Sequence, residues 1–319
     1  MYSDFEKLIR ATLITALVVV LTTAGATSGP FEDADAAYGT SDYWVWVQRS
    51  FPNGVPDAQH RFITEAQLRL GEHYYSGKGV PQNYAEAIKW FRLAAEQGLD
   101  RAQFVLGKSY QDGRGVPQNY VEAEKWLRLA AERGLAVAQL DLGSLYAVGQ
   151  GVPQNYVEAE KWFRLAAEQG LAVAQLDLGY LYSLGQGVPQ NYGEAAKWYR
   201  LAADQGEARA GFDLGLLYHN GHGVPQDYVE AAKWYRLAAD QGVYPAQYNL
   251  GLMYYRGQGV PKDLVSAQMW FYLAAPSDRE ARAIRDILEK QMTSDQIAEA
   301  QKLARGWKPK SSTYSQGAQ

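Results

Sequence analysis

The feature that most limits what this chain can become is an internal repeat. The hexapeptide Gly-Val-Pro-Gln-Asn-Tyr places its proline at 81, 117 and 153, and close variants put Pro189, Pro225 and Pro261 on the same 36-residue grid. Trp90, Trp126, Trp162, Trp198, Trp234 and Trp270 keep that step, as do Ala66, Ala102, Ala138, Ala174, Ala210 and Ala246. A fixed period of about 20 to 50 residues marks stacked supersecondary units, each unable to bury its apolar face alone. Length by itself, 319 residues, suggests about two domains. The grid replaces that expectation with six units spanning 66–281.

Each unit reads as two antiparallel helices. In the second unit, Asp112-Gly113-Arg114-Gly115 supplies a helix end and a turn with positive φ, and Val116-Pro117 forbids continuation. Asn119 then stands three residues before Glu122, a capping-box spacing that recurs at Asn83/Glu86, Asn155/Glu158, Asn191/Glu194 and Asp227/Glu230. The helix so started runs to about Arg133 and stops at Gly134. On a 100° wheel Trp90, Phe91, Ala87, Leu93, Ala94 and Ala95 share an arc opposite Ala85, Ile88, Lys89, Arg92 and Glu96, so the rings face inward. The companion helix carries Leu106, Gly107 and Tyr110, with Gly107 allowing close backbone approach. The surplus of large rings and glycine (9 Trp, 23 Tyr, 31 Gly) is thereby largely absorbed by the grid.

The pattern Ala-Gln-x-x-Leu-Gly-x-x-Tyr, then Gly-x-Gly-Val-Pro-Gln-Asn-Tyr-x-Glu-Ala-x-Lys-Trp-Phe/Tyr-Arg-Leu-Ala-Ala, closely resembles the Sel1-like repeat, a relative of the tetratricopeptide repeat. The resemblance covers about two thirds of the chain. It implies an all-α, right-handed α-solenoid of stacked antiparallel helix pairs that serves as a scaffold or adaptor for protein complexes. It also implies the envelope processes of exported bacterial members, such as exopolysaccharide assembly and control of peptidoglycan enzymes. Members with disulfide-linked helices are tied to β-lactam binding; this chain has no cysteine, and that activity is not carried over.

The ends depart from the grid. Lys7 and Arg10 precede an apolar run from Ala11 to Leu21, and Ala24-Gly25-Ala26 offers small residues for a signal peptidase. The expectation is a signal peptide over 1–26, cleaved after Ala26, a periplasmic or secreted protein, and no membrane span in the mature form, since the run is shorter than the roughly 20 residues a span needs. Residues 27–65 read as an irregular cap whose aromatics, Trp44 and Trp46 among them, cover the first repeat. Asp263 lacks its Glu partner, and Met269, Tyr272 and Pro276 replace the Lys, Arg and acid of earlier units, so the sixth repeat reads as a terminator. Capping helices follow over 282–306, the first preceded by a Ser277/Glu280 box, and 307–319 reads as a disordered tail.

Composition narrows the chemistry. Lys plus Arg is 31 against 35 Asp plus Glu, a net charge of −4, which offers no footprint for nucleic acid. Without cysteine, no thiolate nucleophile or Cys-containing metal site exists. His219 and His222 share a loop but have no third metal ligand evident in sequence. Gly107-Lys108-Ser109 imitates a phosphate loop but lies within a helix, and the acidic pairs Glu122/Glu124 and Glu158/Glu160 recur with the array instead of forming one site. We therefore expect no catalytic residue, no metal and no cofactor.

Two surfaces remain as partner-binding candidates. On the tryptophan helices, Lys89, Lys125, Lys161, Lys197 and Lys233 form one row, Arg92, Arg128, Arg164, Arg200 and Arg236 a second, with Glu96, Glu132, Glu168, Asp204 and Asp240 alongside. By analogy with tetratricopeptide arrays this is the concave face, suited to an extended acidic or mixed-charge segment. Pairing of each Arg with the acid four residues on is the alternative use of the same charges. On the companion helices, Glu72, Lys108, Ser144, Tyr180, Leu216 and Leu252 share a register that turns from polar to apolar along the array, with Tyr255 in the next register. The leading expectation is a non-catalytic scaffold binding envelope proteins or extended peptide segments. Its alternative is a peptidoglycan- or polysaccharide-associated protein, in contact with cell-wall glycan and acting in cell-wall or exopolysaccharide processes.

Overall fold

The structure, a computed structural model, describes residues 57–78, 80–276 and 279–310. The signal segment, the part of the cap holding Trp44 and Trp46, Ser277 and residues 311–319 lie outside the described residues. Among the described residues the chain is an α-solenoid of helix pairs: α1 (Asp57–Ser76), α2 (Tyr84–Glu96), α3 (Asp100–Asp112), α4 (Tyr120–Glu132), α5 (Ala136–Val148), α6 (Tyr156–Glu168), α7 (Ala172–Leu184), α8 (Tyr192–Asp204), α9 (Ala208–Asn220), α10 (Tyr228–Asp240), α11 (Tyr244–Arg256) and α12 (Leu264–Ala274), followed by α13 (Arg279–Glu289) and α14 (Ser294–Gly306). The even-numbered helices from α2 to α12 carry the grid tryptophans, and α1 to α11 of odd number are their companions. Two compact units divide the chain, Met1–Gln154 and Asn155–Gln319.

The repeat sequence explains each boundary. Asn119 is extended, and its side chain accepts from the Val121 and Glu122 amides, so α4 begins at Tyr120. The reciprocal half of the box, the N3 side chain accepting from the cap amide, is formed among the described residues only at α14, where Thr293 and Gln296 exchange both bonds. At the far end Gly134 takes φ 92°, and the Leu135 amide reaches back to the Ala130 carbonyl. The companion α3 ends on Gly113 at φ 70°. Two residues on, Gly115 lies so close to the start of α2 that a Cβ would overlap the Tyr84 carbonyl, so this loop admits only glycine. Gln118, of the hexapeptide, donates to the Gln111 carbonyl at 2.8 Å and ties the loop to the last turn of α3.

Packing follows the same repeat. In the first unit α1 packs on α2 and α3 on α4, while α2 and α4 also contact the next companions, α3 and α5. Leu106, Phe91, Ala94 and Trp126 join one cluster there. A Cβ on Gly107 would stand 2.8 Å from Leu127 Cγ, which is why the Leu-Gly pair recurs. In the second unit α7–α8, α9–α10 and α11–α12 repeat the arrangement, with Tyr199, Tyr235 and Phe271 in the Phe91 position. There α13 and α14 both pack on α12.

The buried glutamine of the Ala-Gln pair solves a polar problem. A helix leaves its last carbonyls without internal partners. Gln103 donates to the Ala95 carbonyl at 3.1 Å and Gln139 to Ala131 at 3.0 Å in the first unit. Gln175 donates to Ala167 at 3.1 Å and Gln247 to Ala239 at 3.2 Å in the second. The companion helices α3, α5, α7 and α11 thus each cap the tryptophan helix before them.

Candidate functional interface

The exposed side of the tryptophan helices carries most of the residues singled out in the sequence. In the first unit Lys89 pairs with Glu86 at 2.7 Å and Lys125 with Glu122 at 3.9 Å. Arg92 donates to Tyr110 Oη at 2.6 Å. Arg128 bonds Glu124 through Nε at 2.8 Å and also reaches Tyr146 Oη. In the second unit Lys197 pairs with Glu194 at 2.5 Å and Lys233 with Glu230 at 3.4 Å, while Lys161 lies 5.4 Å from the Trp162 ring centre. Arg164 bonds Glu160 through Nε at 2.8 Å and Tyr182 Oη at 2.6 Å; Arg200 and Arg236 reach Tyr218 and Tyr254.

The arginines therefore do not pair with the acids four residues on. They brace the tyrosine of the Leu-Gly-x-x-Tyr motif eighteen residues later, and Arg128 and Arg164 take the carboxylate four residues before them. Orientation explains the choice: the preceding glutamates are largely shielded from solvent, while Glu132 and Glu168 point outward. Burial opposes the charge on Arg128 and Arg164, but the glutamate and tyrosine oxygens outweigh it and raise both pKa values. The arginine row is thus committed to holding helix pairs together, and the lysine row is partly neutralised.

Between those charges stand aliphatic side chains that remain open to solvent. Val121 and Leu129 in the first unit, and Val157, Leu165, Leu201, Val229 and Leu237 in the second, are exposed, Val121 and Val157 both to 62%. The tryptophans beside them are core residues, buried except for the half-buried Trp198. This face alternates paired charge and open aliphatic surface on α4 in the first unit and on α6, α8 and α10 in the second.

The companion-helix register is less uniform. Glu72 meets Arg101 at 3.4 Å, and Lys108 meets Asp141 at 3.0 Å. Tyr180 is 48% exposed. Leu216 is partly buried against the Ala231–Trp270 cluster, while Leu252 and Tyr255 are partly covered in the cluster that holds Leu288 of α13. Sequence reading passed over three half-buried carboxylates on these helices, Asp141, Asp177 and Asp213. Burial raises all three pKa values, to about 6 for Asp177 and Asp213, with Arg209 opposing the shift at both. The 36-residue recurrence of Asp in the Gln-Leu-Asp-Leu-Gly and Phe-Asp-Leu-Gly stretches was the available signal.

Sequence reading took 307–319 as a disordered tail, and its first residues, 307–310, are instead held in place. Trp307–Lys310 leaves α14 and lies against α10, with Trp307 packed on the Ala231–Trp270 cluster and Lys310 on Asp240. The histidines are explained locally: His219 meets the Tyr228 ring edge-on at 5.2 Å, and His222 stacks on Tyr192 at 5.1 Å. No group of three or more metal-ligating side chains is found among the described residues. Among them, no helix is long and apolar enough to cross a membrane.

Comparison with known proteins agrees with this architecture. The Sel1 repeat family pattern matches residues 64–99, 100–135, 136–171, 172–207, 208–243 and 245–275. A Sel1 repeat protein from Oxalobacter formigenes is 36% identical, with a TM-score of 0.59 over 75% of this chain and 96% of that chain. A protective antigen of uropathogenic Escherichia coli displaying an SLR fold is 28% identical over 86% of this chain and 85% of its own, with a TM-score of 0.41. No curated protein matches. Six consecutive matches, in phase with the helix pairs seen here, place the chain in the Sel1 repeat family.

Proposed function

We propose that this chain is an exported, non-catalytic scaffold that binds other proteins through the exposed face of its tryptophan helices, in assembly or signalling at the cell envelope. Sel1 repeats are protein-interaction scaffolds, and the observation that carries the choice of face is its aliphatic surface. Val121, Val157 and Val229 stay more than half exposed at the same position of α4, α6 and α10, where the fold makes no use of them. A row of weak identical contacts gains affinity by avidity, so one partner engaging several repeats binds far more tightly than any single contact allows. The leader-like stretch with small residues at Ala24 and Ala26 supports export.

The test is capture of partners from envelope extract by the wild type and by a Val121→Asp, Val157→Asp, Lys125→Glu, Lys161→Glu variant. These four side chains are exposed, so the thermal melt should stay within a few degrees of wild type. Loss of the captured proteins is expected, and unchanged capture would sink the proposal. Export is tested by sequencing the amino terminus of the cell-produced protein: the reading predicts Thr27 as the first residue, and a retained Met1 contradicts it.

A further inference from the structure

The last residue of the repeated tryptophan helices breaks a local rule. Glu96, Glu132, Glu168, Asp204 and Asp240 each end a helix, where the backbone dipole is negative and favours a cation. None of these helices has a basic residue in its last turn. A rule broken at the same place in five repeats, with no compensation inside the helix, marks a position kept for something other than helix stability. Among the described residues Glu96, Glu132, Glu168 and Asp204 make no ion pair, whereas most of the lysines and arginines beside them are paired. Four helix-end carboxylates on this face are thus left without a cationic partner.

The fifth position shows what such a carboxylate takes. Lys310 donates through Nζ to Asp240 Oδ2 at 2.6 Å and through its backbone amide to the Asp240 carbonyl at 2.8 Å. Trp307 is the apolar anchor of the same segment, and Pro309 approaches Gly242, the glycine just past the helix end. Asp240 is held to 20% exposure, while Glu132 and Glu168 remain open. The corners of these repeats also differ in cover. The Arg133 guanidinium lies over Gly98, whereas a Cβ on Gly134 or Gly170 would meet nothing within 4 Å.

We propose that the helix-end corners Glu132/Gly134 and Glu168/Gly170 are lysine-reading sites for an extended basic segment of a partner protein, bound as Trp307–Lys310 binds the corner at Asp240. The carboxylate takes the ammonium, the helix-end carbonyl takes the backbone amide, and Leu129 or Leu165, one turn back on the same exposed face, offers the apolar contact. This rests on the tryptophan-helix face being the binding surface and specifies its partner as basic, where the sequence suggested an acidic or mixed one. It also explains why the tail's own corner is the one nearest the end of the array: the chain closes its last site with its own lysine.

The experiment is fluorescence anisotropy of a labelled peptide, Arg-Gly-Trp-Lys-Pro-Lys-Ser-Ser, with the sequence of residues 305–312, titrated with the full chain at low ionic strength. Saturable binding is expected, weakened about threefold in the Glu132→Gln, Glu168→Gln double variant, in which each corner loses one exposed ion pair. Replacing both peptide lysines with alanine should weaken binding to the wild type to a similar extent. Equal affinity of the wild type and the double variant would overturn the inference. So would self-association of the full chain that Lys310→Ala abolishes, since the occupant would then be a second copy. Capture of envelope proteins that persists alongside an unchanged peptide affinity rejects the lysine sites and leaves the scaffold reading standing.

Discussion

At the residue scale, the clearest imprint of the fold on chemistry is at Asp177 and Asp213. Burial beside the helix pairs lifts both carboxyls from 3.8 to about 6, with Glu207 adding to the effect at Asp177 and Arg209 opposing it at both. A carboxyl whose folded pKa is raised binds more protons in the native state than in the unfolded one, so stability falls as pH rises between about 4 and 7. Each should cost on the order of 1 kcal/mol between pH 5 and pH 7.5. The Asp177→Asn, Asp213→Asn variant is therefore expected to melt higher than wild type at pH 7.5, with the gap narrowing towards pH 5. A gap that stays constant across that range contradicts the assignment.

The same scale shows where sequence reading stops. The tryptophans and the loop glycines were legible because their roles depend on helix phase and backbone geometry, both of which the repeat displays. The partner of each arginine was not, because Arg92 and Tyr110 are brought together across two helices and the loop between them. Spacing along one helix suggests an acid four residues away on either side, and only the packing of the companion helix decides between them.

At the scale of the element, the repeat reuses one device: the buried glutamine that caps the helix before it. The fifth repeat lacks it, since Gly211 stands where Gln103, Gln139, Gln175 and Gln247 stand elsewhere. Glycine inside a helix costs about 0.5–1 kcal/mol relative to alanine, and a net hydrogen bond contributes about 1 kcal/mol. A Cβ at Gly211 would have its nearest neighbour at 3.6 Å, an ordinary contact. Gly211→Gln is expected to raise stability by roughly 1–2 kcal/mol in a urea melt, and a loss of stability would show that the site cannot take the side chain. The tail teaches the converse lesson. Trp307-Lys308-Pro309-Lys310 reads from sequence as disordered tail, because its seat on α10 is tertiary and leaves no periodic trace.

At the scale of the whole molecule, the fold class was legible because six copies of one pattern reduce the problem to a single helix pair and its neighbour. Function was legible only as a class. Identical positions report what the fold requires, and the helix-end acids recur in five repeats as the core positions do, so repetition alone did not separate packing from binding. Exposure and pairing do separate them: the arginines brace tyrosines, the lysines are partly neutralised, and the aliphatic side chains and terminal carboxylates are left to the solvent. The scaffold account therefore turns on which face a partner touches. Site-specific photocrosslinking in intact cells decides this most directly, with a benzophenone side chain placed at Val157 on a tryptophan helix or at Tyr180 on a companion helix, both exposed and in the same unit. Protein adducts from Val157 with none from Tyr180 are the predicted result; adducts from Tyr180 with none from Val157 would contradict the account.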